Sequence, residues 1–205
     1  MNWVVVALVI FIFAIQIVEI NQMSAVEFKE NSITAQYLLD GWSIKGLFGY
    51  MWLHGGLWHL IGNLIFLWLF GNAVCSKIGN LYYLPVYIFL GLVAGISHLL
   101  FSDVPILGAS GAINGIVGMY LVFFPENSIS CFFCFIFWFW RPLWFSLRSF
   151  WMILLWFAFD IFGAMRSSGG VAYLAHIGGF VAGMVLIPLF KSKHVRLFAP
   201  ARTRG

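Results

Sequence analysis

Two short motifs carry a nucleophile and a base. Ser110 stands in Gly108-Ala109-Ser110-Gly111, and His176 stands in Ala175-His176-Ile177-Gly178-Gly179. A serine hydroxyl attacks a carbonyl well only when a neutral imidazole takes its proton, and the same imidazole then protonates the leaving amine. A third motif supplies donors. His59 and Asn63 are four residues apart, so on a helix they share one face, and both side chains can donate to a developing oxyanion. His54 precedes His59 by five residues, about 140° round a helix, and reads as a pin for an outer loop. Asn114, Gly108 and Gly179 read as structural or site-shaping residues.

Each of these residues also has an ordinary structural reading. A serine at a helix start is often an N-cap, and a single histidine on an apolar helix often bonds a neighbouring helix. However, the N-terminus of a helix also presents unsatisfied N–H groups and the positive end of the dipole, which suit an oxyanion. Small residues recur at Gly111, Gly115 and Gly118, and again at Gly179 and Gly183. Such stripes let two helix backbones approach closely, which would bring Ser110 and His176 within hydrogen-bond reach.

The elements that position these side chains must lie in a membrane. The chain has 205 residues, of which 62% are hydrophobic and 9% charged, with a mean hydropathy of +0.97. A soluble domain carries roughly 25% charged residues. Apolar stretches at about 3–20, 54–74, 81–101, 109–124, 148–163 and 172–190 predict six spans. In lipid, helices satisfy their own backbone, so the expectation is an all-α bundle of six transmembrane helices over 1–190. A basic tail, 191–205, follows. Asn2–Ile20, with no positive n-region before it, reads as a retained first helix and not a signal peptide.

Six spans place both termini on one side. That side would hold Lys77, Arg141, Arg148 and the tail residues Lys191, Lys193, Arg196, Arg202 and Arg204, against Lys29, Lys45 and Arg166 on the other. Cytoplasmic loops carry the excess of Lys and Arg, so both termini are expected in the cytoplasm, with loops 21–53 and 164–171 outside. The basic tail is read as this positive-inside signal and not as a nucleic-acid site.

The fourth span is short. Ser110 to Phe124 is 15 residues, about 22 Å of helix against a hydrocarbon core of about 30 Å. With Pro125 and Glu126 at its cytoplasmic end, its Ser110 end stops below the outer surface. His176, about four residues into the sixth span, lies roughly 6 Å down, at a similar depth.

Segment 128–147 is apolar throughout but interrupted by Arg141 and Pro142. Its aromatic content suits the bilayer interface, so it is expected to be a re-entrant or interfacial piece on the cytoplasmic side. Cys131 and Cys134 form a lone C-x-x-C without further ligands, and His54 and His59 lack the i, i+4 spacing of a helical metal pair. No metal and no cofactor is expected. Asp160, near the outer end of the fifth span, is expected to be structural; a third triad member is the lesser alternative, because the glycine stripes do not point to that helix.

Taken together, His54-Gly-Gly-Leu-Trp-His59-Leu-Ile-Gly-Asn63, Gly108-Ala-Ser110-Gly and Ala175-His176-Ile-Gly-Gly-Phe-Val-Ala-Gly183 resemble the rhomboid intramembrane serine proteases. The motifs fall in order on the second, fourth and sixth spans, and the resemblance covers about residues 1–190. It implies a minimal six-helix bacterial form with both termini in the cytoplasm, in the inner membrane. It implies a Ser110–His176 dyad without a third acid, and an oxyanion hole from His59, Asn63 and the Ser110 N–H. It also implies single-span membrane proteins as substrates, cut after a small residue near the outer face. The fifth helix and loop 164–171 would then act as gate and cap. Two departures stand out: Cys75 where similar sequences carry an acid, and Trp42 without a following Arg. A client-binding pseudoprotease is the main alternative, but such relatives usually lack the serine or the histidine. A small transporter would show internal repeats, which are absent from the sequence.

Overall fold

The computed structural model describes residues 3–24, 27, 30–133, 143–166 and 171–190, with backbone alone at 130–133 and 143–145. Helix α1 is Trp3–Gln22 and is followed by two short helices, α2 (Ile33–Tyr37) and α3 (Ile44–Gly49). Then come α4 (Leu57–Ile78, with a π turn at Leu67–Gly71), α5 (Asn80–Leu99) and α6 (Ser110–Phe123). Strands β1 (Ser128–Phe133) and β2 (Leu143–Arg148) precede α7 (Ser149–Arg166) and α8 (Tyr173–Leu186), which continues as a 3-10 turn to Phe190.

Each of the six expected apolar segments coincides with a helix. Five are long and apolar enough to cross a membrane: α1, α4, α5, α7, and α8 extended to Phe190. The other, α6, has 14 residues, about 21 Å of rise. Burial divides the helices by position. On α1 only Val5, Val9, Phe13 and Gln16 are buried, a single stripe at helical spacing. On α6 almost every residue is buried, including Ile113, Ile116, Val117 and Met119. An apolar helix buried on all sides is the centre of a bundle. Outward-facing Phe11, Ile65, Trp151, Phe159 and Val185 are exposed, as suits a lipid-facing surface.

Glycine sets the central packing. A Cβ on Gly179 would run into the Gly111 carbonyl oxygen, one on Gly183 into that of Gly115, and one on Gly118 into that of Phe180. Thus α6 and α8 touch backbone to backbone along the two stripes that the sequence displays. Helix α7 docks differently. Phe157 stacks on Phe180 at 4.3 Å between ring centroids, and the ring of Tyr173 fills the notch left by Gly163.

The loop before α6 is tied down from three directions. Leu39 and Ile106 exchange backbone hydrogen bonds of 3.1 and 3.0 Å. The Gly108 N–H donates to the Tyr50 carbonyl at 2.9 Å, and His98 Nε2 pairs with the Val104 carbonyl at 2.7 Å. The first loop is anchored in turn by α1. The Glu19 carboxylate accepts from the Ile33 N–H at 2.9 Å. Gln16 donates to Thr34 Oγ1 at 2.9 Å and accepts from the His54 N–H at 3.0 Å.

The segment expected as an interfacial piece contains β structure, which also corrects the purely helical expectation. β1 and β2 pair antiparallel, from Ser128 opposite Arg148 to Phe133 opposite Leu143. Aromatic and β-branched residues favour strands, and two paired strands satisfy each other's backbone groups. Ser149 fixes the hairpin base: its N–H donates to the Asn127 carbonyl at 2.7 Å, and its Oγ donates to the Phe124 carbonyl at 3.0 Å. Cys134, Arg141 and Pro142 lie outside the described residues, as do 167–170 of the expected cap loop and the tail 191–205. At the turn between α4 and α5, Cys75 takes up a role of its own. Its thiol donates to Asn80 Oδ1 at 3.0 Å across Gly79, which has a φ of +86°.

Candidate active site

Ser110 is the first residue of α6, and the N-cap is Ala109, whose side chain makes no capping bond. The serine hydroxyl is therefore not spent on capping. It lies 2.9 Å from His176 Nε2. His176 sits one turn into α8, and Gly179, next on the same helix, lets that turn rest on the α6 backbone. The packing glycines thus hold the two helices that carry Ser110 and His176 in backbone contact.

His176 has a second partner. Its Nδ1 is 3.0 Å from Asp160 Oδ1, with the two side chains 13% and 16% exposed. This corrects the expectation that Asp160 stands apart from the pair. The glycine stripes did not point to α7 because α7 reaches α8 through ring stacking and the Gly163 notch. The usable signal was the acid itself: a carboxylate inside an apolar helix is costly and marks function by default.

His59 leans its ring against the turn that precedes Ser110. A Cβ on Gly108 would lie 2.8 Å from both Cε1 and Nε2 of His59, and Gly108 has a φ of +127°. Glycine is thus required there twice, for the backbone conformation and for the ring. The Gly55 N–H donates to His59 Nδ1 at 3.3 Å. An Nδ1 that accepts leaves the proton on Nε2, the nitrogen next to the Gly108 turn. Asn63, one turn further along α4, is buried, and its Nδ2 has no hydrogen-bond partner among the described residues. Asn114 donates from Nδ2 to the Ser110 carbonyl at 3.0 Å, which steadies the first turn of α6.

His54 is not on the far side of α4. It lies before Leu57, where the helix begins, so the helical angle does not apply. Its ring meets that of His59 edge-on at 5.2 Å. The loop is pinned through its backbone N–H to Gln16, while both buried ring nitrogens have no hydrogen-bond partner among the described residues.

Two cavities flank the pair. One of about 250 Å³ is lined by Asn114, Asp160 and His176, with Phe66, Trp156 and Phe157 around them. Another of about 510 Å³ is lined by His59, Ser102, Leu107 and Tyr173, among others. Trp42 is 64% exposed. Among the described residues no cluster of three or more metal-ligating side chains occurs.

Apolar helices, glycine-packed around a buried short helix that carries a serine bonded to a histidine, define a multi-pass integral membrane protein with a hydrolase-like site. Residues 41–193 match the Rhomboid domain family model, and the chain belongs to the rhomboid family. It is 39% identical over 93 residues to rhomboid protease GluP of Bacillus subtilis (strain 168), covering 45% of this chain and 17% of that protein. It is 26% identical over 146 residues to mitochondrial Rhomboid protein 1 of Saccharomyces cerevisiae (strain ATCC 204508 / S288c), covering 68% of this chain and 40% of that protein. The matched stretches are thus less than half the length of either relative.

Proposed function

We propose that this protein is an intramembrane serine endopeptidase that cuts transmembrane segments of single-span membrane proteins near the outer face. The observation that carries this reading is the 2.9 Å contact between Ser110 Oγ and His176 Nε2, which joins residues 66 apart in sequence. Ser110 Oγ attacks the scissile carbonyl carbon as its proton passes to His176 Nε2, and the carbonyl π pair moves onto oxygen. His59 Nε2–H, the free Asn63 amide and the Ser110 N–H at the start of α6 receive that oxyanion. Collapse of the intermediate breaks the C–N bond, and Nε2–H protonates the leaving amine. Water then attacks the acyl-serine, giving its proton to Nε2. The intermediate expels Oγ, which regains a proton, and the carboxylic product leaves.

Both termini lie in the cytoplasm in this reading, so Ser110, at the outer end of α6, opens towards the outer face. The short α6 leaves room for water above it, and the cavity of about 510 Å³ beside His59 gives an unwound substrate stretch a place to lie. Substrates would therefore be spans that unwind readily near their outer end, with a small residue at the cut. The seat is the cytoplasmic membrane of a bacterium. No metal takes part in these steps.

The test is cleavage of a single-span reporter by the protein purified in detergent, beside Ser110→Ala and His176→Ala. The expected result is a single cut by wild type and none by either variant. Intact reporter with wild type, across several reporters of differing outer-end sequence, would favour a client-binding role instead.

A further inference from the structure

We propose that Asp160 is a positioning residue for His176, so that the working unit is Ser110–His176–Asp160 and not a serine–histidine dyad. The inference rests on the serine protease reading above.

The geometry leaves one proton arrangement that works. A neutral imidazole has one N–H, so one ring nitrogen donates and the other accepts. With Asp160 ionised, Oδ1 at 3.0 Å accepts from Nδ1–H. The lone pair on Nε2 then faces Ser110 Oγ at 2.9 Å, ready to take its proton. When that proton arrives, the imidazolium stands beside a carboxylate in surroundings lined by Phe157, Phe180 and Trp156, where two opposite charges attract more strongly than in water. The carboxylate keeps its charge throughout and no proton moves to it. If Asp160 were instead a carboxylic acid whose O–H donated a hydrogen bond to Nδ1, Nε2 would hold the ring hydrogen and could not act as base.

The origin of Asp160 gives the contact a further property. Ser110 and His176 are on α6 and α8, whose backbones touch through Gly111–Gly179 and Gly115–Gly183. Asp160 is on α7, which is buried only at Ser149, Ile153 and Gly163. Its outer face, with Trp151, Leu155 and Phe159, is more than half exposed. The serine–histidine distance is set by the rigid pair, whereas the ring tautomer is set by the more loosely held helix. Docking of α7 on α8 through the Phe157–Phe180 stack therefore aligns the base.

The experiment compares wild type, Asp160→Asn, Asp160→Glu, Phe157→Ala and the Asp160→Asn/Phe157→Ala double variant in detergent. It measures reporter cleavage, the rate at which a fluorophosphonate labels Ser110, and Tm. An asparagine amide donates to Nδ1 and favours the wrong tautomer. Asp160→Asn should lower kcat and the labelling rate by roughly 10²–10⁴-fold, with KM changed less than threefold. Asp160→Glu should recover at least tenfold of that loss. Phe157→Ala should slow labelling of the wild-type background but add less than threefold to Asp160→Asn, because both act on the same contact. Wild-type kcat in Asp160→Asn, or a loss of labelling no larger than its loss of folded protein, overturns the role of Asp160. Full additivity of Phe157→Ala with Asp160→Asn overturns the link to α7. The wild-type reaction separates this inference from the reading beneath it: activity that depends on Ser110 and His176 but not on Asp160 removes the third residue alone.

Discussion

Gly108→Ala tests the contact between His59 and the turn before Ser110. A Cβ at residue 108 would lie 2.8 Å from His59 Cε1 and Nε2, whereas carbon atoms in contact sit about 3.5–4.0 Å apart. The ring must retreat by about 1 Å. It can do so cheaply, because His59 is an exposed side chain, so the displacement should appear as lost chemistry more than as lost fold. An error of about 1 Å in the placement of a catalytic group can cost roughly 10²-fold. Backbone strain at the φ of +127° adds about 1–3 kcal/mol of destabilisation, a fall of several degrees in Tm. The assay is kcat/KM on a single-span reporter for Gly108→Ala, His59→Ala and the double variant. His59→Ala alone should lose roughly 10²–10³-fold, the usual cost of one oxyanion donor. If Gly108→Ala acts by pushing His59 aside, the double variant should be hardly slower than His59→Ala. Full activity of Gly108→Ala, or complete additivity with His59→Ala, would refute the reasoning.

The central packing gives a second expectation. Gly183→Ala forces α6 and α8 apart at Gly115 and should cost about 1–3 kcal/mol, read as a lower Tm together with slower reporter cleavage. Cys75→Ala removes the thiol bond to Asn80 and should cost no more than about 1 kcal/mol, with activity unchanged. His98→Ala frees the Val104 carbonyl and should loosen the loop leading to Ser110. Its Tm should drop by an amount corresponding to about 1–3 kcal/mol, and hydrogen exchange at residues 100–108 should rise. Incubation with EDTA should leave the cleavage rate as it was, since no proposed step uses a metal.

Much of the fold was legible because the membrane permits so few backbone solutions. The six span-length runs were read as helices on that ground, and the helix bounds fall within a few residues of those expected. The contact between Ser110 and His176 was legible for a related reason. Gly111, Gly115, Gly179 and Gly183 could serve little purpose in a lipid-facing helix, but they allow close packing between two. Asp160 was harder, because the α7–α8 contact is made by Phe157, Phe180 and Tyr173, and aromatic residues are spread along the whole chain without a telling period. The hairpin within the expected interfacial segment was not legible, on similar grounds. A uniformly apolar run has neither the helical nor the strand period, so 128–133 and 143–148 gave no hint of pairing. His54 was misplaced because the angle between it and His59 was taken round a helix that begins only at Leu57.

The most direct measurement of the central claim is covalent labelling of Ser110. Wild-type protein in detergent is treated with a fluorophosphonate, and the modified residue is located by mass spectrometry of its peptides. The account predicts modification at Ser110 that disappears in His176→Ala while that variant remains folded. Absence of label at Ser110, or labelling that persists at an undiminished rate without His176, would contradict it.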